Sequence, residues 1–96
     1  MTSPSITSFA EFSERLQKAK SAIAVHLREM PEDATLLNLS EQLEFADQKT
    51  SGGAHLTPED LSRLNFGMVA ARELSDIDAP LASELASLNT YLDQTP

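Results

Sequence analysis

Few residues in this sequence have the type and spacing that metal binding or proton transfer requires. The two histidines, His26 and His55, are the side chains best suited to either task. A zinc site needs ligands at short intervals, as in His-x3-His or HExxH, and neither histidine has such a neighbour. We therefore predict that no metal is bound, that His26 is a surface or boundary residue, and that His55 lies in a loop.

Motifs for nucleophilic catalysis and for phosphate binding are also missing. The sequence lacks the G-x-S-x-G pattern that exposes a catalytic serine, and it contains no cysteine that could act as a thiolate. The stretch Ser51-Gly52-Gly53 lacks the lysine of a phosphate-binding loop. Glu41 and Glu44 could form an acid–base pair, but without a pocket such pairs are usually solvated charges. We predict that the protein is not an enzyme and binds no cofactor.

Four helical segments would have to position these side chains. Apolar residues recur at every third or fourth position, which is the spacing of one helix face, and the alternation typical of strands is absent. The predicted apolar stripes are Phe9, Phe12, Leu16, Ala19, Ile23 and Leu27; Leu36, Leu37, Leu39, Leu43 and Ala46; Leu61, Leu64, Met68 and Ala71; and Leu81, Leu85, Leu88 and Leu92.

Capping and turn residues predict where these helices begin and end. Pro31 should end the first helix, because proline disfavours a helical residue before it. Gly52 and Gly53 should form a turn after the second helix. The predicted N-terminal residues of the four helices are Ser8 (with Glu11 as a capping box), Asp33, Thr57 (followed by Pro58) and Asp78. The helices should therefore be interrupted near Pro31, at residues 51–55 and at residues 75–78.

The size of the chain suits a single domain with a single core. It has 96 residues, of which 41% are hydrophobic, and four helices with short links bury their stripes by packing against one another. We predict one all-α domain over residues 1–96, a compact bundle of about four antiparallel helices with flexible ends at residues 1–5 and 94–96. Gly67 lies inside the third predicted helix, where glycine costs about 1 kcal/mol relative to alanine. We therefore expect another helix to approach its backbone closely.

Acidic side chains outnumber basic ones strongly enough to narrow the range of partners. The net charge is −8, which opposes binding to nucleic acids and to anionic membranes. Residues 29–48 contain six acids and residues 73–96 contain five, and neither range contains a lysine or an arginine. Surfaces of one sign attract cationic partners, although the same charge could simply keep a small protein soluble.

Two phenylalanines lie away from the apolar stripes of their helices. At about 100° per residue, Phe45 falls opposite Leu36 and Leu43 and beside Glu44, and Phe66 is similarly placed on the third helix. Each ring could anchor a partner protein or pack against a neighbouring helix of the same bundle. The sequence leaves both alternatives open.

Signals for export or membrane insertion are not evident. No run approaches the roughly 20 apolar residues of a membrane-spanning helix. The first residues, MTSPSITSFAEF, lack the basic start and apolar block of a signal peptide. The absence of cysteine is typical of proteins from reducing compartments, so we expect a cytoplasmic protein.

Two blocks of the sequence, residues 30–46 and 61–85, carry a resemblance to a known family. The matching positions are Pro31, Leu36, Leu37, Gln42, Leu43, Phe45, Arg63, Leu64, Gly67, Ala70, Glu73, Asp78, Leu81 and Leu85. At these positions the chain resembles the immunity proteins that neutralise NAD(P)+-glycohydrolase toxins of the bacterial type VI secretion system. The blocks cover a little under half of the chain. One feature departs from the family pattern, because Ala79 separates Asp78 from Pro80.

The resemblance implies a cytoplasmic protein that binds the domain of its cognate toxin and blocks the active site. A site that binds NAD(P)+ must hold phosphates, so basic groups around it would suit an acidic inhibitor. The residues predicted to contact the toxin are Glu41, Glu44, Phe45, Glu73, Asp76 and Asp78. The sequence leaves open an alternative function as an acidic helical adaptor or secretion chaperone, which would bind an extended client protein.

Overall fold

Helices form the regular structure of the chain. The computed structural model describes residue 6 and residues 8–94, and over those residues it contains five α-helices and no β-strand. They are α1 (Phe9–Glu29), α2 (Ala34–Thr50), α3 (Pro58–Ser62), α4 (Phe66–Glu73) and α5 (Ala79–Gln94), with a short 3-10 helix at Ser51–Gly53. The predicted all-α fold is confirmed.

The predicted flexible ends fall mostly outside the described residues. Residues 1–5, 95 and 96 belong to the part of the chain that is not described, whereas Gln94 is the last residue of α5. Along the described residues, none of the helices is both long enough and apolar enough to span a bilayer.

The predicted helix starts are confirmed by side-chain caps. A capping oxygen satisfies a backbone N–H of the first turn, which has no partner inside the helix. The capping residues are Ser8, Asp33, Thr57 and Asp78, whose side chains accept hydrogen bonds of 2.9 to 3.2 Å from the backbone N–H groups of Glu11, Leu36, Asp60 and Leu81. The interruptions near Pro31, after Thr50 and after Glu73 also agree with the sequence.

The four longer helices pack as a ring around one core. α1 packs against α2 and α5, and α4 packs against the same two helices. Arg15, in the first half of α1, pairs with Glu84, and His26, near the end of α1, bonds to Asp78. Residue numbers therefore rise along α1 while they fall along its partner, so α1 runs antiparallel to the α4–α5 connection and α5. The buried apolar residues are Phe12, Leu16, Ala19, Ile23, Leu36, Leu39, Leu43, Ala46, Leu64, Phe66, Ala70, Leu74, Leu81, Ala82, Leu85, Leu88 and Leu92.

The prediction of the third helix is wrong in one respect. The segment forms two helices, α3 and α4, with a bend between them. At the bend, the backbone N–H of Asn65 donates to Gln42 Oε1 at 2.8 Å, and Gln42 Nε2 donates to Asn65 Oδ1 at 2.7 Å. These bonds from α2 hold Asn65 outside the helical conformation. The helical phase restarts at Phe66, so Met68 and Ala71 are exposed although the sequence placed them in the apolar stripe. The buried residues of α4 are instead Phe66, Gly67 and Ala70.

Gly67 lies where α4 approaches α5, as predicted. A Cβ atom at this position would lie 2.9 Å from the Cβ of Asn89 and 3.2 Å from the Cα of Ala86, distances that a side chain cannot keep without movement of α5. The backbone N–H of Gly67 donates to Asn89 Oδ1 at 2.9 Å. Gly67 is the second residue of α4, so this N–H has no partner within its own helix and Asn89 supplies one.

Candidate partner-binding surface

The side of α2 that faces solvent carries three of the predicted contact residues. Leu37, Glu41 and Glu44 follow one another at helical spacing and are exposed. Leu37 was predicted to widen the buried stripe, and this is wrong, since 44% of the residue is exposed. α2 packs against α1 and against α4, and Leu37 remains exposed beside both contacts. Leu37, Glu41, Glu44 and the neighbouring Phe45 are called the α2 outer face below.

A lysine from α1 reaches the edge of the α2 outer face. Lys20 Nζ lies 2.8 Å from Glu44 Oε2 and 2.7 Å from Asp47 Oδ2. The hydrogen bonds to Asp47 and Glu44 raise the pKa of Lys20, and the bond from Lys20 holds the pKa of Asp47 below its usual value. Glu41 makes no ion pair with any described residue. The charge of Glu44 is therefore partly neutralised within the chain, whereas that of Glu41 is available to a partner.

The two phenylalanines that the sequence left undecided differ in burial. Phe66 is fully buried in the core, so the alternative in which it packs inside the bundle is confirmed. Phe45 is half-buried and packs against the core, and Lys49 Nζ lies 5.7 Å from the centroid of its ring, within the range of a cation–π contact. Phe45 thus keeps one edge of its ring accessible on the α2 outer face.

The other predicted contact residues lie in the connection between α4 and α5. Residues 73–78, called the α4–α5 corner below, are held by backbone hydrogen bonds. The carbonyl of Leu74 accepts from the N–H groups of Ile77 (2.9 Å) and Asp78 (2.8 Å), and the side chain of Leu74 is fully buried. Glu73 and Asp76 are exposed and make no ion pair with any described residue. The corner is a tight turn, with Glu73 and Asp76 exposed to solvent.

Asp78 differs from the other acids of the α4–α5 corner, because both of its oxygens have partners inside the protein. Oδ1 accepts from the N–H of Leu81 at 3.2 Å, and Oδ2 accepts from His26 Nε2 at 2.9 Å. The hydrogen bond from His26, followed by that from Leu81, lowers the pKa of the Asp78 carboxyl. This half-buried carboxylate fastens the start of α5 to α1. His26 is accordingly a boundary residue, as predicted.

The two groups of predicted residues lie on adjoining parts of the bundle, because α2 packs against α4. Glu41 and Glu44 lie near the middle of α2, while Glu73 is the last residue of α4 and Asp76 follows it in the α4–α5 corner. No hydrogen bond or ion pair joins the two groups within the described part of the chain. They form neighbouring acidic areas, one on a helix side and one at a helix end.

Sequence reasoning missed a set of exposed apolar side chains. Besides Leu37, the large hydrophobic residues that are exposed among the described residues are Val25 (51%), Met68 (60%) and Ile77 (51%). The exposure of Ile77 could have been predicted, because it lies between two aspartates in the predicted corner. Val25 lies outside the stripe of α1 and Met68 was misassigned with the third helix.

One small cavity lies between the 3-10 helix and α5. It is lined by residues that include Phe9, His55 and Tyr91 and has a volume of about 40 Å³. A small-molecule site usually has roughly 300–1,000 Å³, so this cavity holds no more than water. His55 is exposed in the link before α3, as predicted. No group of three or more metal-ligating side chains occurs among the described residues.

Comparison with known protein families gives a match that covers almost the whole chain. Residues 7–94 match the family described as Tsi6. No curated protein and no solved structure is significantly similar to the chain. The family match extends over every element that builds the bundle, from α1 to the last residue of α5.

Proposed function

Since this chain belongs to the Tsi6 family, a family of type VI secretion immunity proteins, we propose that it binds the toxin domain of a cognate effector and blocks its active site. The toxin in this proposal is an NAD(P)+ glycohydrolase, and the encounter takes place in the cytoplasm. The observation that carries the proposal is the family match over residues 7–94. The resemblance of residues 30–46 and 61–85 to immunity proteins against this class of toxin supports the finer assignment.

The surface chemistry of the bundle supports inhibition by binding rather than by catalysis. A site that accepts NAD(P)+ holds two or three phosphate groups and is therefore rich in basic or hydrogen-bond-donating groups. Exposed carboxylates such as Glu41, Glu73 and Asp76 would face those groups, and the opposite charges would accelerate association. The protein in this proposal has no enzymatic activity and uses no cofactor or metal.

Each predicted contact residue has a distinct role in this proposal. Glu41, Glu73 and Asp76 contact the toxin directly, because they are exposed and have no ion-pair partner among the described residues. Glu44 exchanges part of its interaction with Lys20 for one with the toxin. The remaining two are Phe45, which contributes the exposed edge of its ring, and Asp78, which contributes mainly by holding the α4–α5 corner in place.

The direct test uses the NAD(P)+-glycohydrolase domain of the proposed cognate effector. The purified protein should bind that domain, inhibit its hydrolysis of NAD+ and protect cells that express it. Folded toxin should melt at a higher temperature in the complex, because a ligand that binds only the folded state stabilises it. Binding only to an unfolded segment of the effector would contradict immunity and indicate a secretion chaperone.

A second arm tests whether the acidic residues provide the binding surface. Charge should be reversed together at Glu41, Glu44, Glu73, Asp76 and Asp78, and the folding of the variant checked by circular dichroism. The variant should lose protection and bind much more weakly. Unchanged binding and protection would refute the acidic contact surface while leaving the immunity function itself intact.

A further inference from the structure

We infer that the docking surface for the toxin extends from the α2 outer face over one end of the bundle, with Ile77 and Leu37 as its apolar anchors. This end is formed by residues 25–37 and 72–78, where the α1–α2 and α4–α5 connections lie, and it is called the acidic end below. The hydrogen bond from His26 to Asp78 joins its two segments at 2.9 Å. The inference rests on the proposed function and specifies the surface that performs it.

The distribution of exposed apolar side chains singles out the acidic end. Of the four large hydrophobic residues that are exposed among the described residues, three lie there: Val25, Leu37 and Ile77. A single exposed apolar side chain is ordinary on a soluble protein. Three such side chains at one end of a small bundle, beside unpaired carboxylates, fit the combination of apolar contacts and a charged rim that a protein interface uses.

The charge of the acidic end specifies the chemistry of that partner. Residues 25–37 and 72–78 contain six carboxylates and two arginines, which gives a net charge of −4 with histidine neutral, half of the −8 of the whole chain. These segments make up about a fifth of the sequence. The complementary surface is a basic rim around apolar depressions, which fits a protein site that binds the phosphates of a dinucleotide. The same charge repels nucleic acids and anionic lipids.

The corner presents Ile77 in a fixed position. The backbone N–H of Ile77 donates to the carbonyl of Leu74 at 2.9 Å, and Leu74 is fully buried. On the other side, Asp78 is held by Leu81 and by His26. These bonds order the backbone of Ile77 before binding, so an anchor at this position costs less backbone entropy on binding. Asp78 is a positioning residue for this anchor.

Met68 provides a matched control on the same molecule. It is more exposed than any of the three apolar residues of the acidic end, at 60%. It lines a groove between α4 and the C-terminal half of α5, together with Asn89 and Asp93. A general effect of removing exposed apolar surface would appear at Met68 and Ile77 alike, whereas docking at the acidic end would involve Ile77 alone.

The experiment measures dissociation constants for the NAD(P)+-glycohydrolase domain of the proposed cognate effector. The variants are Ile77→Gln, Leu37→Gln and Val25→Gln, with Met68→Gln as the control. Glutamine is a good helix former, so it suits Val25, Leu37 and Met68, which lie in helices, and it removes the apolar contact at all four positions. We expect Ile77→Gln and Leu37→Gln to weaken binding by about 10- to 30-fold, the range of an interface anchor. Val25→Gln should have a smaller effect, and Met68→Gln should bind like the unchanged protein.

The outcomes separate this inference from the proposed function. If the unchanged protein does not bind the toxin domain, immunity fails and the inference fails with it. If the unchanged protein binds but Ile77→Gln and Leu37→Gln bind equally well, or if Met68→Gln is weakened as much, the acidic end is not the docking surface and immunity stands. Hydrogen exchange on the unmutated complex gives a second readout. Protection should rise at residues 30–37 and 72–78, and protection confined to α3 or the C-terminal half of α5 would overturn the inference.

Discussion

The α2 outer face and the α4–α5 corner both present carboxylates to solvent, but they differ in what those carboxylates contact. On α2, Lys20 reaches across from α1 and pairs with Glu44 at 2.8 Å. At the corner, Glu73 and Asp76 have no ion-pair partner among the described residues, and only Asp78 is engaged, by His26. An approaching cation must compete with Lys20 for Glu44 but meets Glu73 and Asp76 already free. The corner therefore offers more usable charge than α2.

Charge reversal at each region tests whether the corner contributes more to toxin binding than α2 does. Glu73→Lys with Asp76→Lys should weaken toxin binding by at least about 30-fold, since two exposed acids become repulsive toward a basic site. Glu41→Lys with Glu44→Lys should have a smaller effect, because Glu44 is already partly neutralised. The measurement is the dissociation constant at low and at moderate salt. A larger loss from the α2 pair than from the corner pair would reverse the ranking of the two regions.

Gly67→Ala tests the close contact between α4 and α5, the two helices that flank the corner. The added Cβ would meet Asn89 Cβ at 2.9 Å and the backbone of Ala86 at 3.2 Å. We expect a loss of about 1–3 kcal/mol in the free energy of unfolding, the usual cost of overpacking. Urea denaturation measures it. Ala71→Gly, at an exposed site on the same helix, is the control and should cost only the helical propensity of about 1 kcal/mol.

Phe45→Ala tests whether Phe45 of the α2 outer face packs in the core, contacts the toxin, or does both. The ring is half-buried against the core, so its removal should lower the free energy of unfolding by about 1–2 kcal/mol, less than the roughly 3–5 kcal/mol of a fully buried phenylalanine. Thermal melting of the free protein measures this cost before any binding is tested. If toxin binding weakens while melting is unchanged, Phe45 acts as an anchor and contributes nothing to the core.

Acid should weaken the bond between Asp47 and Lys20 and the bond between Asp78 and His26, which hold α2 and the corner to α1. We expect each to lower the free energy of unfolding by a small amount. The bond from Lys20 lowers the pKa of Asp47, and the bond from His26 lowers the pKa of Asp78, relative to the ordinary value of 3.8. A carboxyl with a lowered pKa in the folded state stabilises the fold fully above its ordinary pKa. That contribution is lost as the pH falls below 3.8 toward the folded-state pKa.

The two carboxyls can be compared through single variants. Asp47→Asn and Asp78→Asn should each lower the melting temperature by about 2–4 °C at neutral pH, as expected for partly exposed pairs. Each variant should also lose less stability than the unchanged protein on acidification from about pH 6 to about pH 2. Melting curves across this range measure both effects. Equal acid sensitivity of the variants and the unchanged protein would show that other carboxyls govern the response.

Features that depend on neighbouring residues in the chain were predictable from the sequence. The caps at Asp33, Thr57 and Asp78, the stop at Pro31 and the turn at Gly52 follow from local backbone chemistry. The close approach at Gly67 could also be anticipated, because a glycine within a helix needs a reason. The fold class followed from helical periodicity in the same way.

Features set by contacts between distant residues were not predictable. The bend at Asn65 depends on Gln42, which lies on another helix, and the phase of α4 changes as a result. The pairing of Lys20 with Glu44 is also invisible in the sequence, where residues 29–48 contain no base. A stretch of sequence without basic residues can therefore still lie beside a base that another helix supplies. The exposure of Leu37 depends likewise on where α1 and α4 pack against α2.

The isolation of Glu41, Glu73 and Asp76 from the rest of the chain affects how the protein can evolve. None of the three is buried or paired within the described residues, so substitutions there change the surface at little cost to folding, as is usual for exposed sites. A lineage whose toxin acquires a new surface can follow it by altering these positions one at a time. The ion pairs of α1 and the packed core meanwhile stay as they are, so recognition can drift while the bundle is conserved.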